Sequence, residues 1–240
     1  EIKQIEKKGN SLKLLIKGTP TELINSLRRA VINQVPTLAI EEITIYENNS
    51  VIFDEMLAHR LALLPIKTDL KSYVFPEEMK NESDPRGFLN LKLKTKGPIT
   101  VYSRDLQSQD PKVKPVYDNL IIVKLLKNQT LELEATAMLG NGKRHLKFSP
   151  GLAYYHNTQK VTVKNRDPGK WEKEYPQQIF KDGKIDPKLI NNIQLIDACK
   201  NVNNDIIEVK EEKDSFDFYL ESWGQLSTKE ILAEATKIFD

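Results

Sequence analysis

The sequence is poor in the residues from which disulfide frameworks, metal centres and nucleophilic sites are built. Its single cysteine, Cys199, excludes an internal disulfide and fits a reducing compartment. Its three histidines, His59, His145 and His156, are widely spaced, and no cysteine lies near any of them in the sequence. Zinc needs several converging ligands, and a nucleophile needs an oriented base. The sequence therefore predicts no metal site and no catalytic residue.

Neither sign of charge dominates the chain. Lys and Arg total 36 and Asp and Glu total 34, so the net charge of +2 is too small to argue for nucleic acid by itself. No apolar run approaches the roughly 18 to 20 residues that span a membrane, and the first residues show no signal-peptide pattern. We therefore expect a cytoplasmic protein with little or no direct DNA contact and no membrane association.

The order of the apolar patterns predicts an α+β fold. Alternating runs on both sides of Gly9-Asn10 predict an N-terminal hairpin. Thr19, Pro20 and Glu22 form a helix start signal, and Pro36 ends the helix, which we place at residues 20–34. Strands then dominate, with one short helix at 54–64. The predicted strands lie at residues 40–46, 89–94, 99–102, 121–126, 130–137, 206–209 and 216–221.

Two further segments stand out near the end of the chain. Between residues 165 and 204, several turn signals break the chain around one short apolar helix, which indicates a small inserted module. Ser227 and Glu230 form a capping box in front of a final amphipathic helix. The first and last helices therefore each carry an apolar face that must be covered.

Four sequence blocks resemble one family when they are taken in order. They are Gly18-Thr-Pro-Thr-Glu-Leu-Ile-Asn-Ser-Leu-Arg-Arg-Ala30, Asp54-Glu-Met-Leu-Ala-His-Arg-Leu-Ala-Leu-Leu-Pro-Ile66, Gly140-Asn-Gly-Lys-Arg-His-Leu-Lys-Phe-Ser-Pro150 and Phe216-Asp-Phe-Tyr-Leu-Glu-Ser-Trp-Gly224. Together they look like the alpha-like RNA polymerase subunits, which comprise the bacterial alpha N-terminal domain, the archaeal D subunit and their eukaryotic counterparts. The second block is more similar to the archaeal and eukaryotic branch.

The third block also invites a different interpretation, a phosphate-binding loop. It lacks the Gly-x-x-x-x-Gly-Lys-Ser/Thr spacing, and no long helix follows that would offer its N-terminus to an anion. We therefore favour a turn that places Lys143, His145 and Lys147 at a surface. Leu146 departs from the family, which commonly has Ala at this position.

The resemblance implies a non-catalytic assembly subunit of a DNA-directed RNA polymerase. Such a chain pairs with a smaller alpha-like subunit, L, and the pair recruits the two large catalytic subunits and the small N and P subunits. The apolar faces of the first and last helices are expected to form the interface with L, and the arginines beside them to reach a large subunit. The expected interface residues are Leu23, Leu27, Arg28, Arg29, Val31, Ile231, Leu232, Ala235, Ile238 and Phe239.

The inserted module is where the chain departs most from the family. Archaeal members often carry a ferredoxin-like insertion there, with the Cys-x2-Cys-x2-Cys-x3-Cys spacing of an iron–sulfur cluster. Here that spacing falls on Ile193, Ile196, Cys199 and Asn203, and Tyr175 replaces the cysteine of an upstream Cys-Pro motif. One thiol does not hold a cluster. We therefore predict a degenerate ferredoxin-like module without a cofactor, whose apolar side chains fill the place of the cluster.

The resemblance also implies a division into three parts. Residues 1–42 and 205–240, together with 155–164, form a discontinuous dimerisation domain, residues 43–154 an inserted β-rich domain, and residues 165–204 the ferredoxin-like module. Three alternatives remain: an iron–sulfur or redox-sensing ferredoxin-like protein, a direct nucleic-acid-binding module, and a homodimeric alpha-type subunit. Cys199 also has a plainer interpretation as a small buried apolar residue.

Overall fold

The fold is built mainly from β-strands. The structure is a computed structural model, which describes residues 1–81 and 84–239. Its strands are β1 (Ile2–Lys8), β2 (Ser11–Lys17), β3 (Thr37–Asn48), β4 (Leu89–Lys96), β5 (Ile99–Tyr102), β6 (Gln107–Ser108), β7 (Ile121–Leu125), β8 (Thr130–Gly140), β9 (Gly151–Val163), β10 (Phe180–Lys181), β11 (Lys184–Ile185) and β12 (Ile207–Ser222). Its α-helices are α1 (Thr21–Asn33), α2 (Asp54–Ala62), α3 (Ile193–Cys199) and α4 (Thr228–Thr236). This mixed content agrees with the predicted class.

The N-terminal hairpin is present as predicted. Gly9 occupies the turn between β1 and β2 with φ +55°, a conformation that glycine adopts without steric cost. β2 alternates in burial, with Leu12, Leu14 and Ile16 buried, whereas every residue of β1 is exposed. A four-stranded sheet follows the order β1-β2-β12-β9.

The last strand corrects a prediction. The sequence predicts two separate strands at 206–209 and 216–221, but β12 runs without interruption from Ile207 to Ser222. The charged stretch between the two apolar runs contains Asp214, which has φ +53° and accepts a hydrogen bond from the Gly18 N–H at 2.7 Å. Pairing with a neighbouring strand therefore holds these polar residues in the sheet, although they have no apolar alternation of their own.

The chain forms two compact units, each with residues from separate parts of the sequence. The first unit comprises Glu1–Ile5, Leu14–Thr21 and Tyr155–Phe218, and the second comprises Glu6–Lys13, Glu22–Tyr154 and Tyr219–Asp240. Each has its own apolar cluster. The cluster of the first unit consists of Tyr175, Ile179, Ile185, Ile190, Cys199, Ile206 and Ile207.

The core of the second unit lies on an antiparallel sheet with the order β3-β8-β4-β6. β3 pairs with β8 so that Leu38 lies opposite Leu139. Every second residue of β4 from Leu89 to Leu93 is buried, which is the period of a strand with one covered face. Leu57 and Leu61 of α2 belong to the same core cluster. α2 ends at Ala62, two residues before the predicted end.

Among the described residues, no helix is long and apolar enough to span a membrane.

Candidate subunit interfaces

The apolar residues of α1 differ in how far they are buried. Ile24, Ala30 and Val31 are buried in the folded chain. Leu23, by contrast, is 48% exposed, and Leu27 is half-buried. Part of the apolar stripe thus packs within the chain, and an apolar surface remains at the N-terminal end of the helix. Val31, one of the expected interface residues, is buried within the chain.

The two arginines of α1 have different surroundings. Arg28 is half-buried, and its Nε and Nη2 donate hydrogen bonds to Asn25 Oδ1 at 3.2 and 3.0 Å. This contact three residues back fixes the guanidinium along the helix. Arg29 is exposed. Arg29 is therefore the more accessible of the two for a contact outside the chain.

α4 begins with the capping box expected from the sequence. Glu230 N–H donates to Ser227 Oγ at 3.3 Å, and Ser227 N–H donates to Glu230 Oε2 at 2.8 Å. The hydroxyl of Ser227 also donates to this carboxylate, and these hydrogen bonds hold the pKa of Glu230 below its ordinary value. A local pair of residues therefore determines where the helix starts.

The apolar residues of α4 are divided in the same way as those of α1. Ile231 and Ala235 are wholly buried in the folded chain, and Leu232 is half-buried. Ile238 and Phe239, beyond the last turn of the helix, are 41% and 46% exposed. Helical periodicity identifies an apolar stripe but not what covers it. The expected interface residues that remain at least partly accessible are therefore Leu23, Leu27, Arg28, Arg29, Leu232, Ile238 and Phe239.

The turn between β8 and β9 is tied to the end of α1. Lys143 N–H donates to Asn33 O at 2.9 Å. A Cβ on Gly142 would collide with the carbonyl oxygen of Ile32, so only glycine permits this approach. The N–H groups of Arg144 and Lys147 are bonded within the turn, to Asn141 and to His145 Nδ1. These N–H groups are already bonded within the chain, which argues against a phosphate-binding loop.

Glu41 is the charged centre that sequence reasoning missed. It is the extra residue of a β-bulge, where the register of β3 against β8 shifts between Ile40 and Glu42. Its carboxylate accepts from Arg144 Nη2 at 2.8 Å and is paired with Lys147 Nζ, which also donates to Ile40 O at 2.9 Å. No local pattern indicates this contact, because the partners lie more than 100 positions away along the chain.

The environment of Glu41 favours its charged form. Burial raises the pKa of the carboxyl group, but the hydrogen bonds and positive charges of Lys147 and Arg144 outweigh this effect. The pKa of Glu41 is therefore below its ordinary value. Because the lysine is also largely buried, the ion pair fixes the turn rather than serving as a solvated surface contact.

The residues on the cluster spacing of the inserted module do not fit an iron–sulfur cluster. Cys199 is completely buried, and burial raises the pKa of its thiol. Tyr175 is buried beside it, with its hydroxyl donating to Asn203 O at 3.3 Å. Ile196 packs partly on this cluster, whereas Ile193 is half-buried outside it. Cluster iron needs thiolates, and this site offers one sulfur among apolar side chains.

Within the part of the chain that the structure describes, no group of three or more His, Cys, Asp or Glu side chains is arranged to hold a metal ion.

Comparison with known proteins agrees with the order of the sequence motifs. The family described as RNA polymerase Rpb3/RpoA insert domain matches residues 42–151. The chain is 36% identical to DNA-directed RNA polymerase subunit Rpo3 of Methanosarcina acetivorans over 248 residues, which cover 99% of this chain and 93% of that relative. Rpo3 of Pyrococcus furiosus is 36% identical, with coverage of 99% and 92%. Rpo3 of Pyrobaculum aerophilum is 35% identical, with coverage of 98% and 89%.

Proposed function

Because the chain belongs to the family of archaeal DNA-directed RNA polymerase subunit Rpo3, we propose that it is the subunit on which such a polymerase assembles. In this role it pairs with the smaller alpha-like subunit L and then binds the two large catalytic subunits and the small N and P subunits. The chain itself contributes no catalytic residue, and it works in the cytoplasm. Its net charge of +2 favours protein partners over direct contact with DNA.

The exposed apolar ends of α1 and α4 carry this proposal. Leu23 of α1, and Ile238 and Phe239 just after α4, are each between two fifths and one half exposed, whereas Val31, Ile231 and Ala235 on the same helices are fully buried. Full burial of such a side chain stabilises an interface by roughly 1.5–3 kcal/mol. Obligate interfaces bury about 2,000 Å² or more and are apolar at their centres. Leu27 and Leu232, which are half-buried, extend this surface.

The arginines of α1 are proposed to contact a large subunit. Arg29 is exposed on α1, and Arg28 is half-buried and hydrogen-bonded to Asn25. Arginine presents several donors in a fixed plane, which suits recognition of carboxylates and carbonyl groups on a partner. The two positions therefore supply polar contacts at the rim of an apolar interface.

We further propose the three-part organisation that the family resemblance implies. Residues 1–42, 155–164 and 205–240 form the dimerisation domain, residues 43–154 the inserted β-rich domain, and residues 165–204 a ferredoxin-like module without a cluster. The match of the insert-domain family to residues 42–151 supports the two boundaries of the inserted β-rich domain. The buried Tyr175 and Cys199 support the absence of a cofactor from the third part.

The test is a charge placed on the exposed surface of α1. We predict that Leu23→Asp abolishes co-purification with the L-type subunit, because the interface would bury an unpaired carboxylate. Leu126→Asp is the matched control, since Leu126 is 54% exposed and lies just after β7. Undiminished co-purification of the Leu23 variant would contradict the proposal. Leu27→Asp should act in the same way, but Leu27 is already half-buried, so its replacement also destabilises the chain itself.

A further inference from the structure

A pocket of about 400 Å³ in the first unit is lined almost entirely by charged side chains. Four of its lining residues are cationic and two are anionic, so the pocket alone has as large an excess of positive charge as the whole chain, whose net charge is +2. The net charge of the chain therefore does not reveal where positive charge is concentrated. We call this site the Lys184 pocket. Its lining residues are Arg166, Lys181, Asp182, Lys184, Ile185, Asp186 and Lys188.

Two of the lysines are held side by side by a tight hairpin. β10 and β11 pair so that Lys181 lies directly opposite Lys184. Asp182 and Gly183, between them, have φ +53° and +73°, as a two-residue type I′ turn requires. Residues directly opposite in an antiparallel pair have Cβ atoms about 4.5–5.5 Å apart, and like charges at such positions are destabilising. The hairpin therefore keeps two lysines together at a cost to its own stability.

The backbone also positions the other two cations. Ile185 N–H donates to Arg166 O at 2.9 Å, which ties Arg166 to β11. Asp186 is the N-cap of a short 3₁₀ turn that begins at Pro187, and its Oδ1 accepts from Lys188 N–H at 3.0 Å. One carboxylate of the pocket is thus already used within the chain. The backbones of all four cationic residues are therefore fixed before an anion binds, which lowers the entropic cost of binding.

The four cations of the pocket differ from other lysines of the same unit in having no ion pair. Lys164 Nζ and Lys210 Nζ lie 3.2 and 3.0 Å from carboxylate oxygens of Glu208, and Lys200 Nζ lies 2.8 Å from Glu211 Oε1. The four cations of the Lys184 pocket are all exposed, and no carboxylate of the residues that the structure describes is paired with them. Their charge is therefore left for an anion outside the chain.

The lining of the pocket favours nucleic acid over a protein as the source of that anion. Ile185 is the apolar residue of the lining and is 1% exposed, so the side chains that face solvent here are charged. Protein interfaces are apolar at their centres, whereas protein–DNA interfaces are more polar and much more positively charged. An arginine binds phosphate through two N–H groups, and lysines add point charges. The pocket therefore matches phosphate groups better than it matches a peptide.

We propose that the Lys184 pocket binds the phosphate backbone of duplex DNA. Duplex DNA carries about one negative charge per 1.7 Å of its axis, so neighbouring phosphates contact several of the four cations at once. Binding releases counterions and relieves the repulsion between Lys181 and Lys184. The contact involves phosphates and no base edges, so it does not depend on the DNA sequence. The inference rests on the proposed function only in that an assembled polymerase brings DNA to this chain.

Fluorescence anisotropy of the full chain with a short labelled duplex tests the proposal. The pocket variant removes all four cations, by Arg166→Gln, Lys181→Gln, Lys184→Gln and Lys188→Gln. The matched control removes four exposed lysines of the second unit and so has the same net charge, by Lys96→Gln, Lys114→Gln, Lys124→Gln and Lys127→Gln. Because the chain is measured without L, the result is independent of whether the chain pairs with L.

At about 50 mM NaCl, we expect the parent and the control to bind with affinities within roughly threefold of each other, and the pocket variant to bind at least about tenfold more weakly. The slope of log affinity against log salt concentration should be shallower by about 2 to 4 in the pocket variant. Equal losses in both variants, or no binding by the parent, would overturn the proposal. Equally effective competition by poly-glutamate or by single-stranded RNA would overturn duplex DNA as the occupant.

A second variant separates DNA binding from folding. Lys184→Glu places a carboxylate opposite Lys181, so the melting temperature of the chain should not fall, because an opposite-charge pair replaces a like-charge pair. We expect DNA affinity to fall roughly tenfold or more. Lys127→Glu makes the same change of net charge outside the pocket and should keep the affinity within roughly threefold of the parent. A parallel fall of melting temperature and affinity in Lys184→Glu would contradict the assignment, because this lysine would then act through the fold.

Discussion

At the scale of single residues, Lys147 is a charged position where one change should cost stability. Its ammonium group is largely buried, is paired with Glu41 and donates to Ile40 O. We predict that Lys147→Met lowers the free energy of unfolding by about 2 kcal/mol, because it leaves a half-buried carboxylate short of a partner. Urea denaturation measures the change. Lys143→Met, which removes an exposed lysine from the same turn, should change stability by less than about 0.5 kcal/mol.

The same ion pair predicts a dependence on pH. The pKa of Glu41 is below its ordinary value of 4.5 in the folded chain, so folding favours the carboxylate. Its stabilisation is fully present above about pH 4.5 and is lost as the pH falls through the lowered pKa. Glu41→Gln should therefore destabilise the protein at pH 7 by about 1 kcal/mol, and the difference from the parent should shrink towards pH 3.

The control for this prediction is the neighbouring residue. Glu42 is exposed, so Glu42→Gln should leave the free energy of unfolding nearly unchanged at both pH values. A difference between the parent and Glu41→Gln that stays constant down to pH 3 would contradict the assignment, because the effect would then not depend on the charge of Glu41.

At the scale of secondary-structure elements, the sequence predicts those features that depend only on neighbouring residues. The capping box of Ser227 and Glu230 and the turn at Gly9 appear where the sequence places them, since each depends on residues within a few positions. β12 is different. Its charged middle, around Asp214, has no strand pattern, and only pairing across the sheet makes the strand continuous. Strand propensity does not predict the middle of β12, because the strands that pair with it are distant in sequence.

The inserted module supports a prediction about its sulfur. Cys199 is buried in an apolar cluster, and burial raises the pKa of its thiol, so little thiolate is accessible. We predict that Cys199 reacts with a thiol reagent only after the chain unfolds. The whole chain, purified without oxygen, should contain no stoichiometric iron, because Tyr175 and Ile196 offer no sulfur ligand.

A matched variant makes this test quantitative. Ala198 is exposed next to Cys199, so a Cys199→Ala chain that also carries Ala198→Cys should react with the reagent at once. Comparable rates for the parent and this variant in the folded state would show that the thiol is accessible. Bound iron in the parent would revive the redox alternative.

At the scale of the whole molecule, two surfaces differ in how well the sequence predicts them: the apolar surface proposed for L, and a groove lined by Leu63, Tyr117, Leu146 and Trp223. The apolar stripes of α1 and α4 are visible from helical periodicity, but burial of Val31, Ile231 and Ala235 inside the chain is not, because a stripe does not reveal its neighbour. No local pattern predicts that groove, although Leu63, Leu146 and Trp223 belong to three of the family-like sequence blocks. Leu63, Tyr117, Leu146 and Trp223 come from four separated segments, and only the folded chain brings them together.

Assembly of the whole molecule leads to the last prediction. The exposed apolar side chains of Leu23 on α1 and of Ile238 and Phe239 after α4 should give a one-to-one complex with the L-type subunit that persists in size-exclusion chromatography at about 1 M NaCl, since salt screens charges but does not weaken apolar burial. The control is the same mixture made with Leu23→Asp, which should elute as separate chains. A complex that forms at low salt and dissociates at high salt would indicate an interface built on charges such as Arg29. A dimer of this chain alone, unchanged when the L-type subunit is added, would instead support a homodimeric alpha-type arrangement.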